Sequence, residues 1–158
     1  MRSKIIAKLL PVIFIVGLLA IHLVDNALYS GVMRTWLFDL AIIVLILCFV
    51  FMKEFGIGKA AGFSAIFVVL TVVCVINLPS TTYEGGKAAV RKEINSGEVS
   101  FVPTDYKLLP TTPLKSWFID DYYYHYEVEV SGEKLYYAVN PISGASFQLE
   151  EDFFKYDR

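Results

Sequence analysis

The chain changes character at Leu78-Pro79-Ser80. Before that point lie three long apolar runs. They are IIAKLLPVIFIVGLLAIHLV from Ile5 to Val24, LFDLAIIVLILCFVFM from Leu37 to Met52, and AAGFSAIFVVLTVVCVINL from Ala60 to Leu78. Each approaches the roughly 20 residues with which a helix crosses about 30 Å of hydrocarbon. Helix is also the form in which a backbone satisfies its own hydrogen bonds in lipid. The chain is 19% charged, below the roughly 25% of ordinary soluble domains, and most of those charges follow Pro79. The expected fold is therefore an α-helical membrane anchor over residues 1–78, with three transmembrane helices at about 5–24, 37–52 and 60–78. A small α+β domain over residues 79–158 follows it.

Charge sets the expected direction. MRSK and Lys8 make the N-terminus basic, and KEFGIGK supplies Lys53 and Lys59 between the second and third runs. Between the first two runs there is only Arg34, with Asp25 nearby. Lysine and arginine favour the cytoplasmic side, so the N-terminus is expected there, with residues 79–158 outside the cell membrane. The first run lacks a small-x-small cleavage site, since Asp25-Asn26-Ala27 puts an acid in the wrong place, and an uncleaved anchor is expected. Residues 1–78 sum to +3 and residues 79–158 to −5, within a total of −2. An acidic domain offers no basic face for nucleic acid.

His22, Asp25 and Asp39 would gather near the outer boundary. They could form a small proton or cation site, but a polar cap at the membrane surface is the simpler reading, because intramembrane charges signal function mainly when deep. Cys48 and Cys74 lie inside apolar runs and read as small buried residues. Few deep polar groups argue against a transporter.

Beyond Pro79, Thr81 and Glu84 have capping-box spacing, which predicts a helix continuing to a stop at Gly97. GEVSFVP reads as a short strand. Pro103, Pro110 and Pro113 then make a loop or a broken edge, with Trp117 and Phe118 pinning it to the core. In DDYYYHYEVEVSGEKLYYAVNPISG the alternation is two-fold. Tyr122, Tyr124, Tyr126, Val128 and Val130 share one face, and Tyr123, His125, Glu127 and Glu129 the other. Ser131-Gly132-Glu133 is a turn, Lys134–Asn140 a return strand, and Ala145–Leu149 a third strand after the Asn140–Gly144 turn. The expectation is one helix packed on an antiparallel β-meander with one apolar face, the tyrosines forming its wall.

Tyr123, His125, Glu127 and Glu129, with Trp117, are the candidate partner-binding residues. One histidine among glutamates lacks the convergent ligands of a metal site. There is no GxSxG elbow and no GxxxxGK[ST] loop. No catalytic residue, metal or cofactor is expected, and a small metal-dependent hydrolase is the least favoured class.

The order of elements, and YHYEVEVSGEKLYYAVNPISGASF in particular, resembles the PepSY domain over about residues 80–150. Val139-Asn140-Pro141-Ile142-Ser143-Gly144 stands where that family has a V-D-x-x-T-G turn. Asn140 and Ser143 depart from its aspartate and threonine but keep turn chemistry. The resemblance implies a non-catalytic regulatory module of the cell envelope that binds a protein or peptide partner, such as a peptidase or cell-wall enzyme. The alternative is a small membrane immunity or exclusion protein directed against a toxin or phage.

Overall fold

The computed structural model describes residues 2–52, 56–94 and 99–155. Gly97, the expected helix stop, and Lys53 of the second loop lie outside the described residues. Two compact units are present: residues Met1–Val24 with Arg34–Leu78, and residues Asp25–Met33 with Pro79–Arg158.

The first unit holds helices α1 (Arg2–Val24), α2 (Trp36–Val50) and α3 (Ile57–Ile76). Among the described residues, two segments are long and apolar enough to cross a membrane, Leu9–Tyr29 with 21 residues and Ile57–Ile76 with 20. Only 17% and 11% of them are buried, whereas the central helix of a soluble protein hides most of its surface. The expected second span, about 37–52, falls short. α2 has 15 residues, about 22 Å of helix. Phe51 already closes it, with its N–H on the Leu47 carbonyl at 3.0 Å.

The helices meet through Leu10 and Phe14 of α1, Phe38, Ile42 and Leu45 of α2, and Ala60 and Cys74 of α3, all buried. The Phe14 and Phe67 rings lie 5.0 Å apart. Gly17 makes room for this pair, because a Cβ there would stand 2.6 Å from Phe67 Cζ. Small residues permit such close approach between helices in lipid.

The second unit is an α+β fold. Helix α4 (Tyr83–Ile94) is followed by strands β1 (Val99–Val102), β2 (Leu108–Pro110), β3 (Tyr122–Val130), β4 (Glu133–Val139) and β5 (Ser146–Leu149). The sheet is antiparallel, in the order β1-β3-β4-β5, with β2 beside β1 on the same edge of β3. The α4 start is one residue later than the capping-box reading placed it. Thr82, not Thr81, caps the helix, its Oγ1 accepting the Gly85 N–H at 2.9 Å. Asn140 builds the β4–β5 turn, its Oδ1 accepting the N–H groups of Ile142 and Ser143 at 2.8 and 3.1 Å.

The tyrosine face of β3 packs as the alternation required. Tyr124, Tyr126 and Val128 are buried, as are Tyr137 and Val139 of β4 and Val90 of α4. Tyr126 stacks on Tyr83 at 4.9 Å and donates its hydroxyl to the Tyr83 carbonyl at 2.6 Å. Tyr124 donates to the Thr81 carbonyl at 3.1 Å.

The unit does not consist of residues 79–158 alone. Asp25–Tyr29 forms a π-helical turn directly after α1, and Asp25 Oδ1 accepts the Met33 N–H at 2.9 Å. Met33 bridges to Ile119 in antiparallel register, and the Asp120 N–H donates to the Val32 carbonyl at 2.9 Å. Val32 and Met33 are buried. The expected boundary at Pro79 therefore leaves out a nine-residue piece of the fold, one that belongs to the connection between α1 and α2.

Two outcomes follow for stability. Each buried apolar side chain contributes about 1.5–3 kcal/mol, and a domain near 80 residues has little margin. A fragment of residues 79–158 is expected to lose most of its near-UV circular dichroism signal, and fusing Asp25–Met33 to it is expected to restore that signal. Separately, a methyl group at Gly86 would sit 2.9 Å from Tyr126 Cζ, and Tyr126 is pinned by its stack and hydrogen bond. Gly86→Ala is expected to destabilise by about 1–3 kcal/mol, read as a drop in Tm, despite alanine's better helix propensity.

Candidate functional site

The second face of β3 differs from the expected solvated patch. His125 is fully buried and Glu127 is 2% exposed. The cover comes from two distant places. Tyr106 and Phe154 stack at 4.6 Å, and Phe154 meets His125 edge-on at 5.1 Å. The Tyr106 carbonyl accepts a hydrogen bond from His125 Nδ1 at 2.9 Å. On this face Phe154 joins Leu109 and Ala138, with Tyr123 and Leu149 packed around them. Glu127 Oε1 accepts from Lys134 Nζ of β4 at 2.8 Å. Of the five expected partner-binding residues, Glu129 and Trp117 are exposed, Tyr123 is half-buried, and His125 and Glu127 are internal. The expected pinning of the preceding loop falls to Phe118, fully buried, while Trp117 is 50% exposed.

His22 and Asp39 do meet, His22 Nε2 to Asp39 Oδ1 at 3.0 Å, with both side chains partly exposed. Asp25 serves the Met33 amide. Among the described residues, no three His, Cys, Asp or Glu side chains are placed to hold a metal ion.

Between the start of α4 and the β1–β2 connection lies a cavity of about 480 Å³, lined by Tyr83, Glu84, Lys87, Phe101, Lys107 and Glu127 among others. Lys87 Nζ stands 5.7 Å from both the Tyr83 and Phe101 ring centroids. Lys107 Nζ stands 5.6 Å from the Tyr83 centroid. Lys87 also reaches Glu84 Oε1 at 2.7 Å. A second cavity, of about 300 Å³, shares the Val102–Asp105 stretch and Glu127 and is bordered by Lys134. Glu127 thus lines both. Sequence reasoning missed this site because its residues share no motif. The one available signal was Glu127 between Tyr126 and Val128 on a strand, which fits burial as well as exposure.

No protein-family model matches the chain, and no curated protein or solved structure matches it.

Burial, and then the neighbouring Glu84 charge, pushes the Tyr83 hydroxyl up to about 12. Burial likewise raises Tyr124 and Tyr126. A tyrosine in the unfolded chain titrates near 10. The folded state holds these protons longer, so the stability they contribute is complete below about pH 10 and is lost as the pH rises through about 12. Alkaline titration followed by tyrosinate absorbance is expected to show a late, cooperative phase that coincides with loss of the fold, and Tyr83→Phe is expected to diminish it.

Proposed function

We propose that this is a non-catalytic membrane-anchored protein whose α+β unit binds and modulates a protein or peptide partner outside the cytoplasm. In this reading the N-terminus is cytoplasmic, α2 completes a third crossing, and the outer unit is a PepSY-like regulatory module of the cell envelope. Support for a retained anchor comes from α1 itself, whose Leu10 and Phe14 are packed and which runs directly into the Asp25–Tyr29 turn of the folded outer unit.

The observation that carries the partner-binding reading is the edge of β5. Among the described residues this strand pairs only with β4. The Asn140 N–H bonds the Ala145 carbonyl, so hydrogen-bonded pairs alternate from there along the ladder. The pairs Ala138↔Phe147 and Tyr136↔Leu149 use their amides inward, which leaves the amides of Ser146 and Gln148 facing the open edge. An extended peptide can add there as a further strand, with Phe147, 39% exposed, available for a side-chain contact. This replaces the His125–Glu127 face as the contact surface, since that face is internal.

The test is capture of partners from detergent-solubilised membranes. Gln148→Pro removes an outward N–H and crowds the edge without touching the inward ladder. Wild type is expected to retain a partner, and the variant to lose about 1 kcal/mol or more of its affinity, with its melting curve nearly unchanged. Equal capture by both proteins would exclude strand addition at β5.

A further inference from the structure

We propose that the 480 Å³ cavity of the α+β unit receives the headgroup of a zwitterionic phospholipid of the phosphoethanolamine type. This rests on the membrane part of the preceding reading and is independent of strand addition at β5.

Size is the first argument. The cavity falls within the roughly 300–1,000 Å³ of small-ligand sites. The second is the sign of its walls. Lys87 and Lys107 face it together with Glu84, Asp105 and Glu127. A ligand that is only an anion meets acidic residues, and one that is only a cation meets two lysines. A ligand carrying both charges a few bonds apart can place each against its complement. Tyr83, Phe101 and Tyr126 line the same space, and aromatic faces attract an ammonium group. Tyr83 and Phe101 already hold Lys87 within 5.7 Å of their centroids, so these faces are open to cations in this geometry.

Location decides the source of the ligand. Asn26, Ala27 and Ser30 line the cavity, and Asn26 and Ala27 belong to the last turns of Leu9–Tyr29, the first segment long and apolar enough to cross a bilayer. Where that helix leaves the hydrocarbon, phospholipid headgroups are the most abundant molecules. The phosphate would lie between Lys87 and Lys107, and the amine toward Asp105.

The full chain should first be extracted from membranes with carbonate. Loss from the membrane fraction would remove the anchor reading itself, and this inference with it. Protein that stays is reconstituted in nanodiscs containing equal phosphatidylethanolamine and phosphatidylglycerol, then released for native mass spectrometry. Selective retention of phosphatidylethanolamine is expected. Lys107→Gln and Asp105→Asn should each reduce it about two- to fivefold, the range for one exposed ionic or cation–π contact. Lys115→Gln, which is not among the lining residues, should leave it unchanged. Equal retention of the two lipids overturns the proposal, as does selectivity that survives both cavity variants. Protection of Lys107 from acylation by free phosphoethanolamine at the same concentration as the lipid would assign the cavity to a soluble ligand and overturn the lipid source.

Discussion

β3 is hydrogen-bonded along both edges and covered on both faces, and most of the α+β unit is arranged by that double burial. Its edges are taken by β1 and β2 on one side and β4 on the other. One face carries Tyr124, Tyr126 and Val128 under α4, and the opposite face carries His125 and Glu127. A strand with only one apolar face would tolerate a loose helix above it. A strand buried twice needs two covers, and each must satisfy polar groups as well as exclude water. The tyrosine hydroxyls do this toward α4 by donating to the carbonyls of Thr81 and Tyr83. On the other face the Tyr106 carbonyl answers His125, and Lys134 answers Glu127.

This explains which parts of the fold were legible in the sequence. The period-two alternation from Tyr122 to Val130 identified the strand and the face that meets α4. Local rules identified the Ser131-Gly132 and Asn140–Gly144 turns. The second face was read as solvated because His125, Glu127 and Glu129 are polar and alternate. Alternation assigns residues to faces, but it does not say whether a face is wet. That depends on Tyr106 and Phe154, which lie 19 and 29 positions away from His125 and carry no local mark of where they will pack. The cavity was invisible for the same reason, since its lysines and rings come from three separate segments.

Apolar length likewise located the helices but not their limits. The run Leu37–Met52 has the composition of a membrane span, yet α2 ends at Val50 and leaves only 15 residues of helix. Hydropathy measures what a segment can bury in lipid, whereas the crossing also requires rise along an axis. Ala60, one of the small residues in the first turn of α3, is buried. A tight contact also lies at Gly17 against Phe67, in a run whose glycine has no partner at the four-residue spacing that would have flagged it.

The segment Asp25–Met33 changes what kind of object the α+β unit is. A composition break at Pro79 suggests a module hung from an anchor by a linker, free to be removed. Instead the turn after α1 supplies Val32 and Met33 to the interior and a bridge to Ile119. Asp25, 5% exposed, closes that turn through the Met33 amide. The α+β fold therefore includes the chain that joins the first two helices. A buried charge in so short a connection is then intelligible as a structural cap. The acid costs desolvation but fixes the path of a nine-residue excursion that a flexible loop would leave unspecified.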